Sequence, residues 1–522
     1  MFNVSVTNSG TEMSASAGEG SASGGLIEAL FPNVWHALSS DGSRAYFTSP
    51  IGSGAGENFG RNLYVRVNIG EPQSPVDGQG VCTVAVDACT IEVSASQRKV
   101  PDPHGPFPAR YRGASADGSK VFFTSRMELT EDAHTGPEDD AGNLYEYDLA
   151  SGRLTDLTVD TSDPEGAGVL GVAGMSEDAS VVYFVAKGDL TGEEENGHGA
   201  KAVAGQANLY VIREGSAPKF IATLHHGSEE KETDESEDGE GDANAWTRPL
   251  SLNNAAVTAN GTHFAFVSQR SLTGYNNEWA PNSEVAPRGE CYKGETHNLC
   301  TEVYTYDLSS GSLTCVSCNP TGARPIGNSS LTKREALSSL LYRERHFSED
   351  GSRFFFQSYD SLVAHDGNGR QDVYEYSNGH VAPISNVAGG YESYFLDSSP
   401  DGRDVFFATY DQLLPQDKDL RLDIYDARTD GGFPVSVAAP VCSNGDACKP
   451  PPNPQPAVFG APASATFSGA GNLAPVPVGK PAVKQKGKGH PKKCKKGSVR
   501  KHGRCVKRGV KGSGVRSKRG SK

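Results

Sequence analysis

The sequence predicts an all-β chain, a six-bladed β-propeller followed by a disordered Pro-rich linker and a basic C-terminal tail. The first reason is a serine-x-aspartate turn opening onto an aromatic strand, met six times. The copies are SSDGSRAYFTS (Ser39 to Ser49), SADGSKVFFTS (Ser115 to Ser125), SEDASVVYFVA (Ser176 to Ala186), TANGTHFAFVS (Thr258 to Ser268), SEDGSRFFFQS (Ser348 to Ser358) and SPDGRDVFFAT (Ser399 to Thr409). The second is a strand carrying a tyrosine at a constant place after every copy: Tyr64, Tyr145, Tyr210, Tyr304, Tyr374 and Tyr425. The third is composition, with 61 Gly, 31 Pro and only 22% charged residues, as in turn-rich β proteins.

Each turn has a mechanism. Asp41, Asp117, Asp178, Asp350 and Asp401, and Asn260 in the fourth copy, can cap their own turn through a side-chain oxygen. Glycine follows in five copies; the third has Ala179, so that turn must differ or carry strain. The aromatic and β-branched residues that come next suit a packed strand. Third runs such as GRLTDLTV from Gly152 and GSLTCVS from Gly311, with the run entering each turn, make four strands per unit. The turn residues are 76, 61, 82, 90 and 51 positions apart, the differences falling in loops. The alternative architecture is a series of β-sandwiches.

The turn, the aromatic strand and the later tyrosine strand, over about residues 33 to 440, resemble the WD-type repeats of TolB-like six-bladed propellers. NLYEYD strands, LTCVSCNPTG (Leu313 to Gly322) and KCKKGSVRKHGRCVK (Lys493 to Lys507) together resemble a group of large exported bacterial propeller proteins. That resemblance implies a fold and brings no activity with it.

Along the chain, residues 1–32 form a lead with a candidate ring-closing strand, FNVSVTN. The propeller covers 33–440, a Pro/Ala/Gly-rich linker 441–479, and the basic tail 480–522. The loop HHGSEEKETDESEDGEGD (His225 to Asp242) reads as solvated and disordered. The opening MFNVSVTNSG has no basic and then apolar signal pattern, so export would require sequence upstream of it. No run of apolar residues is long enough to span a membrane as a helix.

The formal net charge of −15 divides sharply: the tail from Lys480 carries +18 and the rest of the chain −33. Such a tail suits an anionic polymer partner such as cell-wall phosphate, membrane headgroups or nucleic acid. The ten cysteines fall into local pairs, Cys82 with Cys89, Cys291 with Cys300, Cys315 with Cys318, Cys442 with Cys448, and Cys494 with Cys505. An even, paired set points to disulfides and an oxidising compartment, hence an extracellular or cell-surface location. A four-thiolate zinc site at Cys291, Cys300, Cys315 and Cys318 is the rival reading.

Two loops before tyrosine strands carry oxygen ligands at spacing that suits calcium (Ca2+): Asp366, Asn368 and Asp372, then Asp417, Asp419 and Asp423. Acidic turn residues capping a strand start would look the same. The runs entering the serine turns should be the innermost strands and bring His36, Arg112, Asn253, Arg345, His346 and Asp397 to the channel, where polar rings can hold a small ligand. No G-x-S-x-G elbow or H-E-x-x-H occurs, and the turn glycine is misplaced for a sialidase repeat. The expectation is therefore a monomeric, non-catalytic binding or scaffold propeller recognising a protein or cell-wall polymer through its loops. The alternative is a metal-assisted hydrolase or lyase acting on a polysaccharide in the channel.

Overall fold

The structure, a computed structural model, describes residues 3–13, 16–17, 34–50, 61–102, 107–136, 142–160, 166–224, 242, 254–279, 291–293, 298–331, 343–431, 498–501 and 504–507. Apart from Asp242, which is helical, all regular elements among them are β-strands. Among the described residues the unit Met1–Val437 contains six antiparallel sheets of three or four strands in chain order, the sheet pattern of a six-bladed propeller, and one two-stranded hairpin. Sheet 1 holds β1 (Ser16–Ala17), β2 (Arg44–Pro50), β3 (Arg61–Val67) and β4 (Cys89–Glu92). Sheet 2 holds β5 (Arg110–Ala114), β6 (Lys120–Ser125), β7 (Asn143–Asp148) and β8 (Arg153–Asp156). Sheet 3 holds β9 (Val169–Met175), β10 (Val181–Ala186), β11 (Asn208–Arg213) and β12 (Lys219–Thr223). In sheet 4, β13 (Ala255–Val257) and β14 (His263–Ser268) precede a small hairpin, β15 (Tyr292–Lys293) with β16 (Asn298–Leu299). The sheet then continues with β17 (Glu302–Asp307) and β18 (Ser312–Cys315). Sheet 5 holds β19 (Ser329–Ser330), β20 (Arg353–Ser358), β21 (Asp372–Ser377) and β22 (His380–Pro383), and sheet 6 has β23 (Ser393–Ser398), β24 (Asp404–Thr409) and β25 (Asp423–Arg428).

The serine turn is built identically in every sheet. The serine or threonine hydroxyl donates to the aspartate or asparagine oxygen over 2.6–2.8 Å. That oxygen also accepts the backbone N–H two residues on, and the hydroxyl accepts the first strand N–H over 3.0 Å. Ala179 keeps this geometry at φ 59°, so the third turn carries strain rather than a different shape. The need for glycine elsewhere is partly steric. A Cβ on Gly261 would lie 2.6 Å from the Val181 Cβ of sheet 3.

The tyrosine's constancy has two causes. Its ring stands opposite a phenylalanine of the preceding strand in every sheet, with centroids 5.5–5.9 Å apart, as for Phe123 with Tyr145 and Phe407 with Tyr425. Its hydroxyl pins the intervening loop. Tyr145, Tyr210, Tyr304 and Tyr425 donate to the carbonyls of Met127, Gly188, Arg270 and Asp411, and accept from the N–H of Leu129, Leu190, Leu272 and Leu413. Tyr374 donates likewise to Asp360 O over 3.1 Å.

Consecutive sheets share apolar cores. Tyr46, Val121 and Phe123 join sheets 1 and 2, Phe122 and Phe184 join 2 and 3, and Tyr183, Phe264 and Phe266 join 3 and 4. Phe354 and Phe356 pack sheet 5 on sheet 4, and Phe407 packs sheet 6 on sheet 5. Strand alternation makes this economical, because one side chain faces the sheet before and the next faces the sheet after.

Two expected inner strands differ. VWHALSS forms only the bridge Leu38 to Ala45, because His36 sits at φ 52° and breaks the extension. Among its described residues YRERHFS forms only the bridge Phe347 to Phe354, since the Arg345 N–H turns to Asp397 Oδ1 (2.9 Å) in sheet 6. The described part of the lead folds on itself (Val6 to Glu12) and bonds to Thr90 of β4 through Asn8 and the Val6 carbonyl. In the second unit, Ala438–Lys522, β26 (Ser498–Lys501) pairs with β27 (Arg504–Lys507) as a hairpin; the linker lies outside the described residues.

Tyr304→Phe removes a hydroxyl that serves two loop backbone groups, and should cost about 1–2 kcal/mol in denaturant unfolding. Gly261→Ala should cost at least as much, while a substitution of the same kind at Gly215, where nothing lies within 4 Å, should show the backbone strain alone.

Candidate functional site

The serine turns of sheets 1 to 4, and those of sheets 5 and 6, are joined through the residue after the serine. The Ser40 N–H donates to Ala116 O, Ala116 to Glu177 O, Glu177 to Ala259 O, and Glu349 to Pro400 O, all at 2.7–2.8 Å. Beside this chain of bonds lies a cavity of about 350 Å3, lined among others by Trp35, Glu177, Arg343, Arg345, His346 and Asp397.

The predicted channel residues divide. Arg345, His346 and Asp397 line the cavity. His36 stands beside it, with Nδ1 2.9 Å from Ala114 O and Nε2 3.3 Å from Glu177. Arg112 is buried within sheet 2, its Nε donating to Thr124 Oγ1 over 3.0 Å, and does not line the cavity. Asn253 lies outside the described residues. His346 is itself buried, with Nδ1 2.8 Å from Phe355 O and its ring 4.6 Å from that of Phe395.

Sequence reasoning missed Trp35, Arg343, Glu177 and Glu349. Arg343 stacks 5.2 Å over the Trp35 ring and donates to Ala255 O. The two glutamates occupy the x of the serine-x-aspartate repeat, the residue whose backbone links turn to turn, and both line the cavity. That position was a legible signal. The lining mixes arginines with four carboxylates, Glu177, Glu344, Glu349 and Asp397.

The calcium loops lie at the other end of the strands. Asp417, Asp419 and Asp423 bring ligand oxygens within 4.8 Å of one another, and Asp417 accepts the Tyr425 hydroxyl over 2.6 Å. In the earlier loop the groups are spent on each other: Asn368 Nδ2 donates to Asp372 Oδ2 (2.9 Å), Ser385 donates to Asp372 Oδ1 (2.5 Å), and Asp366 accepts from Tyr374. Cys82–Cys89, Cys291–Cys300 and Cys315–Cys318 are disulfides, which removes the zinc alternative at the last four. Cys442, Cys448 and Cys494, and the side chain of Cys505, lie outside the described residues. No helix among the described residues is long and apolar enough to cross a membrane.

A set of buried carboxyls stands out between sheets and loops. Burial pushes Asp156 and Asp360 up to about 7 and Asp372 up to about 6. Glu302 is also raised by burial, and its Oε2 accepts from Ser317. At the exposed turns the opposite holds, since the hydroxyls of Ser39 and Ser348 draw Asp41 and Asp350 down to about 2.

No family model matches the chain, and no curated protein matches it. Solved structures similar to it include Porphyromonas gingivalis dipeptidyl peptidase 4, at 12% identity over 76% of this chain and 44% of that one, TM-score 0.36. Oligogalacturonate lyase from Vibrio parahaemolyticus matches at 14% over 61% of each chain, TM-score 0.29, and TolB from Acinetobacter baumannii at 12% over 74% and 68%, TM-score 0.25. The chain spans less than two thirds of the peptidase and of the lyase. The fold assignment rests on the six sheets themselves, and both a binding and an enzymatic reading stay open.

The buried carboxyls predict a pH dependence. Asp156 and Asp360 hold a proton in the fold that the unfolded chain releases near pH 4. Their stabilisation is full below that pH and is lost as pH rises through about 7. The unfolding midpoint should fall between pH 5 and pH 8, by about 2–4 kcal/mol per group, and Asp156→Asn should flatten the curve.

Proposed function

We propose that this chain is a non-catalytic binding or scaffold propeller of the cell exterior, recognising a protein or cell-wall polymer at the turn-side cavity and its flanking loops. The observation that carries it is the cavity lining, in which arginines and carboxylates from several sheets face one space of about 350 Å3. Paired fixed charges of both signs suit a polar partner bearing both donors and acceptors. Two of the lining residues, Ser348 and His346, are committed to holding the fold. The Ser348 hydroxyl donates to Asp350 within its turn, and His346 is tied to Phe355 O. Three disulfides are consistent with the exported location.

The alternative, a metal-assisted hydrolase or lyase on a polysaccharide, draws on the Asp417, Asp419 and Asp423 group. Its position argues against it. That loop follows the far end of β24, about 17 Å along the strand from the serine turn that borders the cavity.

The test is to titrate the full chain with cell-wall polysaccharides and candidate surface proteins, measuring affinity and product release together. A partner bound without turnover, with affinity falling at least about tenfold in Arg345→Ala or Glu349→Gln, is the expected result. Cleavage of the polymer, or binding indifferent to both substitutions, would sink this reading. The tail makes a separate contribution: deleting residues 480–522 should abolish any steeply salt-dependent binding to an anionic polymer, leaving the cavity's affinity unchanged.

A further inference from the structure

The three disulfides differ in what they do for the fold. Cys82–Cys89 and Cys291–Cys300 close intervals of 7 and 9 residues, whereas Cys315–Cys318 spans only 3 and restricts the unfolded chain least. Cys291 and Cys300 are buried, at 3% and 0% exposed, while Cys315 and Cys318 are both half-buried and within reach of solvent. Nor does sheet 4 need the bridge to hold its strands. In sheets 2, 4 and 5 alike a hydroxyl caps the tyrosine strand: Thr158, Ser317 and Ser385 accept the N–H of Leu144, Val303 and Val373 over 2.8–3.0 Å. Two residues before that hydroxyl stand Asp156, Cys315 and Pro383, each paired with the strand's tyrosine. Of the three, sheet 4 alone places sulfur there.

An acid sits beside that sulfur. Glu302 opens β17 at the loop end of sheet 4, paired with Ser268, the last residue of β14. One of its carboxyl oxygens and the sulfurs of Cys315 and Cys318 all lie within 4.8 Å of one another. Among the described residues neither other disulfide has a carboxylate so placed on both sulfurs. Glu302 is fully buried, and it accepts from Ser317, which stands between the two cysteines. Burial pushes it well above the ordinary carboxylate range, which favours the protonated acid next to a bond whose cleavage releases a thiolate. The two sulfurs are not equivalent. Cys315 leans with Leu313 on the core shared by sheets 3 and 4, whereas Cys318 lies beyond the end of β18.

We propose that Cys315 and Cys318 form a reversible thiol–disulfide exchange site, with Glu302 giving and taking back the proton of Cys315, and that its substrate is a dithiol of another protein. A thiolate of that dithiol attacks Cys318 Sγ. The Cys315–Cys318 bond breaks, its electron pair leaves on Cys315 Sγ, and Glu302 passes its proton to that thiolate. The second thiol of the partner returns a proton to Glu302 and attacks the mixed disulfide, displacing Cys318. The partner loses two electrons and two protons and becomes a disulfide; the cysteine pair gains them. A small-molecule disulfide resets the pair by the same steps in reverse. None of these residues lines the turn-side cavity, so this site stands or falls apart from the binding there.

The titratable groups around Glu302 are all acids or phenols. Asp360 raises it further, Tyr275 and Tyr304 have phenols held above their ordinary range, and Asp242 accepts from Ser268 across the ladder.

The test mixes the full chain with a reduced peptide carrying two cysteines, quenches by alkylation and maps the thiols by peptide mass. Cys315–Cys318 should open at least about tenfold faster than Cys82–Cys89 or Cys291–Cys300, with the peptide recovered as its disulfide. Glu302→Gln should slow this by at least about tenfold near pH 7, and the deficit should close towards about pH 9, where the leaving thiolate no longer needs a proton. Opening no faster than at Cys82–Cys89, or a Glu302→Gln rate equal to the parent's throughout, overturns the proposal. If Glu302→Gln does not fold, two single variants decide. Cys315→Ser should trap the peptide on Cys318 as a stable mixed disulfide and Cys318→Ser should trap none; any other pattern overturns the site.

Discussion

The serine-x-aspartate turn is the contact on which the rest depends. One hydroxyl and one carboxylate or amide oxygen satisfy the backbone donors of a reversal that would otherwise expose them beside a packed strand. The same turn meets the neighbouring sheet: the Tyr46 and Tyr183 hydroxyls donate to the carbonyls of Gly118 and Gly261 over 2.8 Å. A single motif therefore starts the strand, closes the turn and sets the spacing between sheets. Its carboxylate stays ionised in the exposed copies because neighbouring hydroxyls and N–H groups donate to it.

A second constraint operates at the opposite end of the strands. There the tyrosine hydroxyl takes over the capping of a loop, and its ring fills the space behind the phenylalanine of the preceding strand. Carboxyl groups near these loops are shielded by the same packing, so they hold protons where exposed ones would not. The two ends of each sheet thus differ electrostatically. The turn end holds Asp41 and Asp350 below the usual carboxylate range, and the loop end buries carboxyls raised above it.

This polarity bears on function. A propeller presents partners with loops on a rigid frame, and here the charged lining at the turn end stands on backbone bonded from sheet to sheet. A site so held changes little on binding.

The repeat made the sheets, turns and tyrosine strands legible in the sequence, because each rests on local chemistry: a capping oxygen, positive φ, and alternation of faces. The three described disulfides were legible for the same reason, each closing a short loop. Arg345, His346 and Asp397 were foreseen together, whereas Arg112 turned into its own sheet, and Trp35 and Arg343, in the same runs as His36 and Arg345, were passed over. Only tertiary structure could decide those, since the side of a sheet on which a side chain ends depends on one residue of register and on a left-handed residue such as His36. Likewise Ile424 occupies in the sequence the same repeat position as Val373, yet one is exposed and the other buried. The repeat specifies which face seeks a neighbour; only the packed chain determines whether a neighbour is there.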